Sequence, residues 1–271
     1  MIMVFFIYLM QRNTCISEKN FPMYFVLVLA LLLGAGSHGV AGRLPPCPST
    51  KVATIHVPCR FRPGQHQYET LDIRSDVVLE TSSSVDTQSF NVTGTFLVAP
   101  LAVVAMVYSE RANTGAGHGH GASGGSHGGR GGAEKGRDLD AGQAVPYGSS
   151  EKVQSAGSRG GNGGKGGGLL EIYASRVAIE GKLRVNGEHG ASRMKSGGGS
   201  GGGIAVECDE LFGGGVLETV GGSGRHGGGG GSGGRISVRC TKNDFKGTFL
   251  SHGGRTGEGH FMLSIVFFYK S

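Results

Sequence analysis

Three histidines, His118, His120 and His127, stand among glycines that let the backbone approach freely. Imidazoles so placed suit copper, nickel or zinc. Three ligands with no fixed geometry make a poor donor set, solvated side chains are the plainer reading, and no metal ligand is assigned. Carboxylates come next. Glu171, Glu207 and Arg239 recur at outward positions of successive repeats, where a polysaccharide-cleaving protein would carry acid/base groups. Outward charges on strands usually form a solvated face, so no catalytic residue is assigned and the chain is read as a non-enzyme. Phosphate cradling has no support either. The pair Gly164-Lys165 has Arg159 where a P-loop needs its first glycine and Gly166 where it needs a hydroxyl. Matches to Gly-x-Gly-x-x-Gly follow no strand of a βαβ unit. Ser200 and Ser232, each between two glycines, sit in low-complexity runs instead of a strand-to-helix elbow and read as spacers. No cofactor is expected.

The cysteines carry more. Of five, Cys15 falls in a segment expected to be removed, leaving Cys47, Cys59, Cys208 and Cys240. An even number without close Cys-x-x-Cys or Cys/His spacing favours disulfides over zinc. The compartment agrees. Met23–Leu33 is an apolar run followed by small residues, with Val40-Ala41-Gly42 offering a cleavage site before Arg43. Residues 1–42 are therefore read as a signal segment, started at Met23 or carrying an overlong front. An uncleaved anchor is the alternative, although the run is shorter than the roughly 20 residues that span a bilayer. The sequon Asn91-Val92-Thr93 adds a glycosylation site at Asn91. An extracellular, secreted glycoprotein is the expectation, touching membrane only through the targeting segment.

The elements that must hold these residues are set by glycine. Of 271 residues 54 are glycine, and 48 of these lie between Gly115 and Gly259, with no tryptophan in the chain. Runs such as Gly227–Gly231 and the single proline Pro146 in that stretch exclude collagen, which needs glycine at every third position. The net charge of +6 is spread along the chain without a basic block and with few aromatics beside it, so the signature of a nucleic-acid binder is missing. Residues 43–111 have ordinary composition and strand-like patterns in Val52–Val57, Leu71–Leu79 and Phe90–Val107. Residues 112–168 are glycine, serine and histidine with isolated apolar groups, and read as a low-complexity loop without a core.

Strands return in 169–260 as repeats. Leu170, Ile204 and Ile236 each begin a stretch of 17 residues before a glycine, Gly187, Gly221 and Gly253. The registers coincide: Ile172, Val206 and Val238, then Ala174, Cys208 and Cys240, then Leu183, Leu217 and Phe249. Starts fall 34 and 32 residues apart. Period-2 alternation inside such a repeat calls for strands stacked from repeat to repeat, a β-solenoid. In the first repeat, Leu170–Ala174, Arg176–Ile179 and Lys182–Asn186 would form three sides of one coil. Val92–Leu97 matches Phe245–Leu250, which makes Val85–Pro100 a candidate first coil. Stacking brings Cys208 and Cys240 to neighbouring strands, within the Cα separation a disulfide accepts. Cys47 would then pair with Cys59. Two buried free thiols are the alternative. The glycine joints must pack on one another or stay mobile, since ordering them costs about 1–2 kcal/mol per residue.

Segments such as Gly197–Glu207 and Gly227–Cys240, with Phe-x-Gly-Thr and Gly253-Gly254, resemble the glycine-rich repeat of large secreted or surface proteins. The resemblance covers roughly Val85–His260 and implies a right-handed parallel β-helix in a wall, matrix or adhesive setting. The apolar tail, 261–271, departs from it and suggests an altered end. The fold expected is thus all-β, a short right-handed parallel β-helix with glycine-rich loops. The function expected is a structural or adhesive matrix protein whose partners are extracellular polymers, glycans or copies of itself. A β-helical polysaccharide-active enzyme and a glycan-binding module remain the alternatives.

Overall fold

The computed structural model describes residues 44–108, 117–136, 145–149 and 152–256, and the backbone of 267–268. The signal segment expected over 1–42 and most of the apolar tail lie outside these residues. In chain order the strands are β1 (Val52–Ile55), β2 (Cys59–Phe61), β3 (Gly64–Tyr68), β4 (Thr70–Ile73), β5 (Val77–Leu79), β6 (Thr87–Val98) and β7 (Val103–Met106). Then follow β8 (Leu169–Ile179), β9 (Lys182–Arg184), β10 (Gly203–Gly213), β11 (Val216–Glu218), β12 (Arg235–Phe245), β13 (Thr248–Leu250) and β14 (Phe267–Phe268). No helix occurs among the described residues, and every pairing between these strands is parallel.

Two sheets result. The larger runs β1-β4-β6-β8-β10-β12-β14, with β3 beside the first half of β6, and the smaller runs β13-β11-β9-β7-β5-β2. Beyond β3 the chain feeds the sheets alternately, so each long strand is followed by a short one in the other sheet. The repeat register of the sequence is the pairing register. Leu170, Ile204 and Ile236 stand side by side, as do Ile172, Val206 and Val238. Leu183, Leu217 and Phe249 line up in the smaller sheet. Side chains on these rows are buried between the sheets, apart from Phe249 at the end of the stack, where it meets Phe245 edge-on at 5.1 Å.

Three details differ from the sequence expectation. Leu170–Ala174 and Arg176–Ile179 do not form separate sides: they are one eleven-residue strand, β8, in which Ser175 marks a register step. Across that step Thr93 and Gly94 of β6 oppose Ser175 alone, a bulge. The pairing also overturns the match of Val92–Leu97 to Phe245–Leu250. Phe96 stands beside Val177 in the larger sheet, whereas the residue in line with Phe249 is Val104 of β7. The shared Gly-Thr-Phe-Leu string falls in strands of different sheets, β6 and β13. Lastly, 43–111 is more than one candidate coil, since β1 with β2, β4 with β5 and β6 with β7 supply three successive strand pairs to the two sheets.

The sequence predicts a loop without a core over 112–168 and repeat joints that pack on one another or stay mobile; the described glycine segments are largely buried and bonded to one another. In 197–202 the amides of Gly197 and Ser200 donate to Gly161 and Ser158, those of Gly198 and Gly201 to Gly229 and Ser232, and those of Gly199 and Gly202 to Glu188 and Val185. Every third amide faces the same neighbour. That is the symmetry of a polyproline II chain, which has three residues per turn and no internal hydrogen bonds. Neighbours are displaced by the repeat: Gly187 and Gly190 donate to Val220 and Ser223, and Gly221 and Gly224 to His252 and Arg255. The result is a lattice of extended chains joined by backbone bonds on several sides, not a sheet. Glycine is required for proximity, since a Cβ on Gly198 would run into the Gly222 carbonyl and one on Gly231 into that of Gly199.

Candidate functional site

Cys47, Cys59, Cys208 and Cys240 form two disulfides, Cys47–Cys59 with Cα atoms 5.0 Å apart and Cys208–Cys240 with Cα atoms 4.5 Å apart. The second clips β10 to β12 at paired positions. Such bonds persist in oxidising compartments, and an extracellular environment accords with them.

On the outer face of the larger sheet, pairing places Gln67, Asn91, Tyr173, Glu207 and Arg239 in one row across five strands. Alternation along each strand turns these side chains away from the core rows beside them. A shallow depression of about 490 Å³ lies over the row and includes Thr93, Ser175 and Asp209. The Glu207 carboxylate is ion-paired with Arg239 at 3.8 Å. Glu210, three residues further along β10, is paired with Arg176 at 3.2 Å and Lys242 at 3.6 Å. Tyr173 is half-buried, and its phenol is pushed up by burial and then by the Glu171 and Glu207 carboxylates, the first of which it also meets in a hydrogen bond. The sequence singled out Glu171, Glu207 and Arg239, and the structure does bring them to one face with Tyr173 between them. Asn91 is exposed in the same row.

The histidines separate. His118 and His120 have ring centroids 6.3 Å apart, while His127 is fully buried elsewhere. Among the described residues no group of three or more metal-ligating side chains occurs. His127 is instead the centre of a polar node that sequence reasoning missed. Its Nδ1 lies 2.9 Å from the Gly201 carbonyl and its Nε2 3.1 Å from Ser155 Oγ. The carbonyl can only accept, so Nδ1 carries the proton and Nε2 accepts from Ser155. The ring stacks on Tyr147 at 5.0 Å, and Arg235 at the start of β12 donates to the Tyr147 carbonyl at 3.0 Å. Burial pulls the His127 pKa down to about 4 and pushes that of Tyr147 up to about 12. A serine beside an oriented, neutral imidazole is the pairing of nucleophilic catalysis. Here both are held within the glycine lattice: a Cβ on Gly148 would already press on Ser155 Oγ at 2.8 Å.

The lattice serines are likewise not spacers. Ser200 Oγ accepts the Ser158 amide at 2.7 Å, and Ser232 Oγ accepts the His127 amide at 2.9 Å. Their equivalent places in successive repeats, 32 residues apart, were the available signal.

No family model matches the chain, and neither a curated protein nor a solved structure matches it.

Proposed function

We propose that the chain is a secreted, non-enzymatic structural or adhesive protein, a short right-handed parallel β-helix that presents a rigid, repeating surface to extracellular polymers. The observation that carries this reading is the in-register repetition, which sets equivalent side chains at strand spacing on the outer face and backs them with a backbone-bonded lattice. A surface with that translational order fits a partner that is itself a polymer. The outer acids support a structural role, because Glu207 and Glu210 are tied to Arg239, Arg176 and Lys242 as a solvated ion network is. The resemblance to glycine-rich surface repeats points the same way, and exposed Asn91 is a fitting place for an N-glycan.

The test is expression of the whole chain in a secreting eukaryotic host. The expected result is protein in the medium, with a mass that falls on enzymatic deglycosylation and does not fall for Asn91→Gln, and that co-sediments with insoluble wall or matrix polymers. The polysaccharide-active alternative rests on the depression over Tyr173, Glu207 and Arg239. Release of sugar ends from a soluble polysaccharide, abolished by Glu207→Gln, would replace the structural reading with that one.

A further inference from the structure

A second depression, of about 530 Å³, lies at the turns of the glycine lattice and is lined by His189, Ser192, Ser223, Arg225, His226 and Arg255. The repeat itself builds it. His189, Ser223 and Arg255 occupy one position in three successive repeats, on chains joined by the bonds from Gly190 to the Ser223 carbonyl and from Gly224 to the Arg255 carbonyl. They therefore form a ladder whose rungs are joined by backbone hydrogen bonds. Ser192 and His226 form a parallel row, also 34 residues apart, in which His226 Nε2 donates to the Ser192 carbonyl at 2.7 Å.

The turn that carries Arg225 and His226 is held firmly. Arg225 exchanges backbone hydrogen bonds with Ser196 at 2.9 and 3.2 Å, and His226 sits in the left-handed region at φ 50°, a conformation that glycine takes more readily. Ser223 N donates to His189 Nδ1 at 2.8 Å, which leaves the neutral ring with its proton on Nε2 as a donor. The Arg225 guanidinium makes no ion pair among the described residues and lies near enough to His189 to lower its pKa, after burial. Lys135 and Lys195 stand next to Gly227, one residue past His226. Among the described residues, the carboxylates facing these cations are Glu134, paired with Lys195 at 2.8 Å, and Glu188, which accepts the Lys165 amide at 3.0 Å.

We infer that this ladder is a binding site for a linear acidic polysaccharide, whose carboxylate or sulfate groups are taken by Arg225 and whose hydroxyls are taken by His189 and Ser223. Guanidinium forks match carboxylate and sulfate oxygens in two-point fashion, and a row of donors on hydrogen-bonded chains suits a linear polymer. This deepens the polymer-binding reading above and rests on it.

The experiment measures binding of the secreted chain to polygalacturonate, dextran sulfate, neutral dextran and double-stranded DNA at low salt. Both acidic polysaccharides or one of them should bind and neutral dextran should not, the pair telling carboxylate from sulfate preference. Arg225→Glu should weaken that binding roughly tenfold, the effect of losing one charge-assisted contact. Arg62→Glu, the same charge change on an exposed residue beside β3, should leave it unaltered, and unchanged melting curves show that both variants fold. Equal weakening by the two variants, or DNA binding as tight as polysaccharide binding, overturns the inference in favour of diffuse charge or a nucleic-acid partner. If insoluble neutral polymers are retained while the acidic ones are not, the site is wrong and the adhesive reading stands; if no polymer is retained, both fall.

Discussion

A single methyl group distinguishes tolerated from forbidden positions in this chain. Gly198→Ala drives a Cβ into the Gly222 carbonyl, backbone against backbone, where neither side can swing away. Gly214→Ala meets only the far end of Glu180 at 3.6 Å. Neither glycine has a left-handed φ, so the comparison isolates packing from backbone strain. Gly198→Ala should destabilise by about 3 kcal/mol or more, the upper range of overpacking, and Gly214→Ala by under about 1 kcal/mol. Thermal or denaturant melts of the two variants read the difference. His127 adds a pH dependence. Its folded pKa, about 4, lies below the unfolded value near 6.5 because burial disfavours the imidazolium. The unfolded chain therefore binds more protons between those values, and stability present above pH 6.5 is lost as the pH falls toward 4, by on the order of 3 kcal/mol. His118 and His189, both also lowered by burial, act in the same direction. A melting series from pH 7.5 to 4 should show this slope, and His127→Asn should flatten much of it.

At the scale of the element, strands and their register were readable where apolar side chains alternate. Leu170, Ile204 and Ile236 align because a buried face punishes any slip by one residue. The early match fails because a shared Gly-Thr-Phe-Leu string does not say which sheet a strand joins: Phe96 lies in β6 of the larger sheet and Phe249 in β13 of the smaller. The lattice was legible only as one of two alternatives for the glycine joints, because its cohesion is backbone to backbone, and a pattern built on side chains is blind to it. His127, Tyr147 and Arg235 were invisible too, since they lie 88 and 20 or more residues apart and meet only after the lattice has closed. The row of His189, Ser223 and Arg255, by contrast, follows from the repeat arithmetic, each standing 19 residues past Leu170, Ile204 or Ile236. Between elements, the Cys208–Cys240 bond closes 32 residues and Cys47–Cys59 closes 12. In the chain-entropy account these stabilise by about 4 and about 3 kcal/mol. Replacing Cys208 and Cys240 together by alanine should therefore lower the denaturation midpoint more than replacing Cys47 and Cys59, as measured by guanidinium titration.

Taken whole, the molecule has two interiors of different chemistry. One is the apolar filling between the sheets, and the other is the lattice, whose buried surface is amide and Cα. Unfolding the first exposes hydrocarbon and raises the heat capacity, while unfolding the second exposes mostly peptide groups, which lowers it. The two contributions oppose each other. The heat-capacity increment of unfolding should fall below the usual 12–15 cal/mol/K per residue, which calorimetry on the disulfide-bonded chain would measure directly; a value inside that range would mean that the lattice melts apart from the rest. A small increment flattens the dependence of stability on temperature. The chain would then lose comparatively little stability on cooling, because less of its cohesion comes from the hydrophobic effect, which weakens in the cold.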